Sequence, residues 1–494
     1  MRTSALQSTI DAAIAVLCTP ELAPIVDMVC AHPEPDTYLV TSADGSVRFR
    51  RSPTGFQILE ETGTNPLANQ ATDQFVGLAA ELAHPHPTRS ENAYPHAFAS
   101  VAQLFDHPHA PDLCVLHTAA HHWGDQGGHL GEHGSLDIVQ TRAPLVFSGA
   151  GITPRGLVGA SAQLIDVAPT VAALLGVTPH PDGSLLAGQD GRVLREVLAD
   201  DAPPPDLVIG ALFDGTNANV LYEMAGRGEA PTVARLIEAG FAFGHGAFAS
   251  LPSVTLANHT TILTGRHPGH HGILHNAWFD RDQGVQIITN SQDTWPWAMH
   301  HLLPGVESLF DAVHRTWPDA ATYAVDEPAD AGATWSTFEY FRRGEVPPIP
   351  ESPLGLPHTT ERFVRPSKDY AWASIVDHMA VDPASGILRG AYLDTPLDRP
   401  RLLWVNFTLT DAAMHEGGPY SEVAAAGVRD SDARLGAILD VVEEQGWRDS
   451  TAVVLVADHG MEQTDPTVGG DWDVVLREAG FSFRDEGYGF LYFD

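Results

Sequence analysis

The chain has 494 residues, a length for roughly three domains or one large α/β enzyme. Acidic residues outnumber basic ones 63 to 27, a balance of −36 that argues against nucleic-acid polymers and anionic membranes as partners, and 44% apolar residues exclude a disordered chain. No apolar run approaches the ~18 residues of a spanning helix, and three cysteines (Cys18, Cys30, Cys114), an odd count in a long chain, indicate a reducing cytoplasm rather than a disulfide framework.

At the N-terminus, Ile10, Ala13, Ile14 and Leu17 fall on one face of a helix, and Asp11 interrupts the apolar run that a signal peptide needs. DTYLVTS (36–42), DLCVLHT (112–118) and APLVFSG (143–149) read as strands, and AQLIDVAPTVAALLG (162–176) as a helix. ADDAPPPD (199–206) is a proline-rich linker that separates a first block, 1–198, from a second, 207–494. The second block alternates continuous apolar runs with amphipathic helices. Strand DLVIGALF (206–213) precedes a helix near 217–239, strand RLLWVNFTL (401–409) precedes a helix near 420–446, and TAVVLVA (451–457) is a further strand. This alternation predicts an α/β fold with a mostly parallel central sheet and helices on both faces. Residues 327–370, rich in Pro, Arg and aromatics, read as a cap or insertion.

Three strands run into an aspartate: Asp214, Asp411 and Asp458. Ligands in open α/β sheets bind beyond the carboxyl ends of the strands, and carboxylates gathered there repel one another unless cations sit between them. His415 follows Asp411 by four residues and His459 adjoins Asp458, so oxygen and imidazole ligands suit zinc, with manganese the lesser fit. In LPSVTLANHTTILTGRHPGHHGILHN (251–276), Pro252 and Ser253 precede a helix-like run from Leu256 to Leu263 that Gly265 ends. Thr255 therefore stands at a helix N-terminus, where backbone N–H groups favour an anion. Alone it reads as an N-cap; beside a metal cluster it reads as a nucleophile, because a divalent cation lowers a hydroxyl pKa.

The runs FDG, PSVTLANH, TG-x-x-P-x-x-HGI-x-x-N, D-x-x-x-H-x-x-GP and ADHGM resemble the alkaline phosphatase superfamily, and within it the type I phosphodiesterase/nucleotide pyrophosphatase group, over about 206–465. The resemblance implies one zinc held by Asp214, Thr255, Asp458 and His459, another by Asp411 and His415, and Asn276 as a donor to phosphate oxygens. Met414 departs from the glycine that relatives carry before the metal histidine. The second zinc still needs a third ligand, a histidine in an HGS context downstream of ADHGM, and no histidine follows His459. The first block, however, contains GEHGSLDIVQTRAPLVFSGAGI (131–152), which resembles the family's C-terminal part. The expectation is one circularly permuted domain in which His133 is the missing ligand; His117, His121, His122 and His129 are rivals outside that context.

The implied chemistry is hydrolysis at a tetrahedral phosphorus, clamped between two zincs roughly 4 Å apart, through a phospho-threonine. Monoesterase relatives carry Arg directly after the nucleophile, whereas Leu256 stands here, so a phosphodiester or nucleotide-pyrophosphate substrate is expected. Arg266, Arg342 and Arg343 are the cations that could reverse this preference. Trp278, Phe279, Trp295, Trp297 and Tyr340 could stack on a base or simply be core aromatics. The alternatives are a phosphonoacetate-hydrolase-like C–P hydrolase, a phosphomonoesterase of the same fold, or a non-catalytic binding module, which the intact ligand set disfavours. The expected partner is a small phosphoester, not a nucleic acid or a membrane.

Overall fold

A computed structural model of the chain describes residues 4–123, 128–200, 202–291, 293–345 and 368–493. Half of the expected 327–370 insertion, residues 346–367, lies outside them. Among the described residues no helix is long and apolar enough to cross a membrane.

In chain order, helix α1 (Ser4–Leu17) leads into strands β1 (Val26–Glu34), β2 (Thr37–Ser42), β3 (Gly45–Ser52), β4 (Gly55–Gly63) and β5 (Leu113–His117). Next come β6 (Leu145–Gly149), β7 (Gly156–Val158) and α2 (Val167–Leu175). After the linker follow β8 (Leu207–Phe213), α3 (Pro231–Glu238), β9 (Gly240–Phe243), α4 (Thr255–Thr264), β10 (Ala321–Val325) and β11 (Trp335–Ser336). The chain ends with α5 (Lys368–Arg389), β12 (Pro400–Phe407), α6 (Leu409–Gly417), α7 (Glu422–Glu444), β13 (Thr451–Val456), α8 (Trp472–Glu478), β14 (Phe483–Glu486) and β15 (Phe490–Phe493).

The central sheet has eight strands in the order β11-β10-β12-β8-β13-β6-β9-β7. All neighbours run parallel except β6, which is antiparallel to both β13 and β9. β6 comes from the first block, yet it lies between strands of the second. Each central strand feeds two cores, which is why it reads as an unbroken apolar run. Leu207, Ile209, Ala211 and Phe213 of β8 face a layer containing α3, α5 and α7, while Val208 and Leu212 face a layer with α2 and α4. Gly210 leaves room for the ring of its register partner Trp404, which any Cβ at 210 would strike.

A second sheet was not foreseen. Seven antiparallel strands run β14-β15-β5-β1-β2-β3-β4. DTYLVTS and DLCVLHT belong here, not in the parallel sheet, because hairpin partners stand next to them in sequence or space. One face packs against Leu251, Leu256 and Ile273 around the start of α4. The other is covered by α1, whose Ile10, Ala13, Ile14 and Leu17 are buried as their spacing predicts, and by Trp472 and Leu476 of α8. The expected helix near 217–239 is two helices, Ala218–Gly226 and Pro231–Glu238, parted by the left-handed Gly228.

Candidate active site

Asp214 follows β8 directly, and Asp458 lies two residues beyond β13. Asp411 differs from expectation. It stands in the first turn of α6 rather than at the end of β12, so that His415, one turn later, shares its face of the helix. Gly215 makes this approach feasible: it has a φ of +60°, and a Cβ there would lie 2.3 Å from Asp411 Oδ1.

Two groups of three candidate ligands result, Asp214–Asp458–His459 and His133–Asp411–His415, each with ligand atoms within 4.8 Å of one another. In the first, His459 Nε2 lies 3.1 Å from Asp458 Oδ2 and 4.0 Å from Asp214 Oδ1. In the second, Asp411 Oδ1 lies 3.3 Å from His415 Nε2 and 3.9 Å from His133 Nε2. The rings of His133 and His459 stack with centroids 3.6 Å apart, which brings the groups together.

The tautomers follow from the hydrogen bonds. His133 Nδ1–H donates to the Ser253 carbonyl (2.8 Å), His415 Nδ1–H to Gly131 (2.7 Å) and His459 Nδ1–H to Gly460 (2.9 Å). Each Nε2 therefore points inward. His133 Nε2 and His415 Nε2 face each other at 3.2 Å, a distance that a shared proton or a bound cation would bridge. Asp214 Oδ1, Asp411 Oδ1, Asp458 Oδ2 and His459 Nε2 are buried without a hydrogen-bond partner. Orphaned carboxylate oxygens and imidazole nitrogens pointing at common centres are the donor set of divalent metal sites. Burial, reinforced by Asp458, pushes Asp214 up to about 8. Burial opposes the charge of His415 and His459, yet Asp411 lifts the first to about 10 and Asp458 the second to about 9.

The rival histidines point elsewhere. His121 Nε2 meets the Gly470 carbonyl, His117 contacts the Thr118 and His133 carbonyls, and His122 contacts His129 and Thr464. His129 forms a third group with Glu132 and His415. There the His415 nitrogen nearest Glu132, at 4.0 Å, is Nδ1, which already donates to Gly131.

Thr255 is the first residue of α4, which Gly265 ends in the left-handed region. The loop before it is stapled by Asn258, whose Nδ2 donates to the carbonyls of Ser250, Pro252 and Val254. Ser253 ties this loop to the first block by accepting from Gly134 N–H and donating to the Ser135 carbonyl. Asn276 accepts from the Leu256 N–H at 3.2 Å, beside the nucleophile candidate.

Two cavities flank the centre. One of about 360 Å³ is lined by Asp214, Thr255 and Asp411 and by the aromatics Trp295, Trp335, Tyr340, Trp372 and Tyr392. The other, about 490 Å³, is lined by His133, His415 and Asn276. Of the five aromatics expected at a base, Trp295 and Tyr340 line the first cavity. Trp278 is buried in the core under the antiparallel sheet, Phe279 packs on Tyr492, and Trp297 is exposed. Among the described residues neither cavity is lined by Lys or Arg. Arg342 is held by Asp330 and Glu339, Arg343 lies over Tyr340, and the Arg266 guanidinium sits by Gly188.

His259 and Glu327 are the residues that sequence reasoning missed. Both are fully buried. His259 Nδ1 lies 3.0 Å from each Glu327 oxygen, and its Nε2 lies 3.6 Å from Asp214 Oδ2 and 3.7 Å from Asp458 Oδ2. The i, i+4 spacing of Thr255 and His259 was a usable signal; nothing local marks Glu327.

Residues 208–493 match the type I phosphodiesterase / nucleotide pyrophosphatase family. An uncharacterized pyrophosphatase/phosphodiesterase of Schizosaccharomyces pombe is 25% identical over 264 residues, covering 52% of this chain and 45% of that one. Mouse ectonucleotide pyrophosphatase/phosphodiesterase family member 1 is 22% identical over 268 residues, covering 54% of this chain and 25% of its own. The chain thus spans less than half the length of these curated relatives. Among solved structures, phosphonoacetate hydrolase from Sinorhizobium meliloti 1021 in complex with phosphonoformate aligns at 21% identity with a TM-score of 0.34, covering 56% of this chain and 59% of that one.

Proposed function

The chain belongs to the type I phosphodiesterase / nucleotide pyrophosphatase family, and from that premise we propose that it is a two-zinc hydrolase cleaving phosphodiester bonds through a phospho-Thr255 intermediate. The observation that carries the reading is the pair of ligand groups beside the N-terminus of α4, with each inward Nε2 fixed by a carbonyl on Nδ1. Metal ions held by these residues would supply Lewis-acid stabilisation to the attacking and leaving oxygens and lower the pKa of the Thr255 hydroxyl.

The remaining work falls to the chain. Thr255 Oγ1 attacks phosphorus in line, the bond to the departing alkoxide breaks, the alkoxide leaves as the alcohol with the proton given up by Thr255, and the phosphoryl group, still carrying its second ester substituent, is left on Thr255. Water then attacks the phosphorus of phospho-Thr255, breaking its bond to Oγ1 and restoring the hydroxyl. The first-turn N–H groups of α4 and the Asn276 carboxamide line the position of the non-bridging oxygens. A dianionic monoester has no Lys or Arg to meet its extra charge among the described lining residues, which supports a diester. The aromatic cavity would take an organic substituent.

Circular permutation belongs to the same proposal. It is supported by the location of β6 between β13 and β9, and by His133 lying beside Asp411 and His415.

The test is a panel on the zinc-loaded chain: bis-p-nitrophenyl phosphate, p-nitrophenyl phosphate and phosphonoacetate. The diester should show the highest kcat/KM, and Thr255→Ala should lose at least about a thousandfold in kcat while keeping its metal. Thr255→Ser should retain partial activity. A tenfold monoester preference, or an active Thr255→Ala, overturns the reading.

A further inference from the structure

The strongest feature outside the two ligand groups is the buried pair His259–Glu327. Glu327 Oε1 accepts from the Ala329 N–H at 2.7 Å, which fixes the carboxylate, and both its oxygens face His259 Nδ1. Nδ1 therefore carries a proton directed at the Glu327 carboxylate. Nε2 is left buried, without a hydrogen-bond partner, between Asp214 Oδ2 and Asp458 Oδ2. A His–Glu pair serving only to pack the core would cost more than apolar side chains of the same volume. It would also have no reason to aim its second nitrogen at two candidate ligands. His259 stands one turn after Thr255 on α4, so the helix that presents the hydroxyl also carries the ring between the carboxylates.

We infer that His259, oriented by Glu327, is a positioning residue that sets the placement of Asp214 and Asp458 and thereby holds the metal of the Asp214–Asp458–His459 group in register with Thr255. The inference rests on the metal-hydrolase reading above. It assigns the pair no contact with substrate. Its effect falls on one ligand group: in the other, His133 and His415 are fixed by different partners, namely Ser253 and Gly131.

The experiment measures zinc affinity of the full chain by competition with a chromogenic chelator, without substrate. The two groups are read separately in Asp411→Asn and Asp214→Asn backgrounds. His259→Gln and Glu327→Leu are expected to weaken zinc at the Asp214–Asp458–His459 group by about 10–100-fold, as loss of an outer-shell partner does. The other group should stay within about twofold. Glu327→Gln, which keeps an acceptor for Nδ1–H, should recover affinity to within about threefold of the parent. At saturating zinc, His259→Gln should lower kcat and leave KM nearly unchanged. Equal loss at both groups, or unchanged affinity in His259→Gln, overturns the inference. If Glu327→Leu does not fold, the His259→Gln affinities decide alone. Because affinity is read without turnover, a chain that binds zinc as expected but cleaves no diester defeats the proposed function and not this inference.

Discussion

Four imidazoles around the centre share one arrangement, with Nδ1 tied to an oxygen and Nε2 facing inward, although they come from four separate segments of the chain. For His133 this gives a direct test. His133→Ala removes an inward nitrogen from a group that offers only Asp411 and His415 besides, so it should lose about one metal equivalent and most activity. Metal analysis after gel filtration measures the stoichiometry. Full metal content with full activity would return the third ligand to His129, the nearest rival. Sequence made some of these residues legible and not others. Asp458 and His459 adjoin, and Asp411 and His415 are one helical turn apart, so local spacing pairs them. His259 needs Glu327 to orient it, and that partner lies 68 residues away with no pattern linking the two.

At the scale of elements, the sequence forecast succeeded where burial leaves a plain pattern, as in the unbroken apolar runs of β8, β12 and β13 and the single apolar face of α1. It failed where turns bring strands together sideways, since β1 to β5 alternate too weakly to announce an antiparallel sheet; β4, for example, is almost wholly exposed. Helix packing supplies a further case that spacing cannot show. The N-terminus of α3 has no cap of its own, because the preceding residue is Ala230. The cap comes from α7: Asp432, buried at 1% exposure, accepts from Thr232 N–H at 3.1 Å and Val233 N–H at 2.8 Å. A carboxylate there satisfies two orphan donors and faces the positive end of the helix dipole. Asp432→Ala should therefore cost about 1–3 kcal/mol, measured by urea unfolding. Since α3 and α7 lie on the layer away from Thr255, kcat/KM below the transition should not change. A variant as stable as the parent would show that other groups satisfy these donors.

At the scale of the molecule, the two blocks are interlocked at both sheets. β6 of the first block lies between β13 and β9, so removing it splits the central sheet and leaves two neighbours with unpaired edges. β15 of the second block pairs with β5 of the first, and α1 packs on α8 and β15. The linker fits this arrangement: Ala199 N–H bonds to the Gly151 carbonyl and Asp206 N–H to the Ser450 carbonyl, so both of its ends are anchored. The proline-rich joint resembles a domain boundary in sequence, yet the strand order interleaves the blocks on either side of it. The consequence is testable by dissection. Residues 206–494 contain Thr255 and seven of the eight residues discussed as ligands or positioners besides it, lacking only His133, so two independent domains would leave this fragment folded and metal-binding. An interlocked fold predicts the opposite: the fragment should be insoluble or lack a cooperative thermal transition, because β13 and β9 lose their shared partner and β15 loses β5. Co-expression with residues 1–198 should restore solubility, metal content and activity together, as complementation of one domain would. A soluble fragment that binds two metals would refute the interlocked reading and, with it, the role assigned to His133.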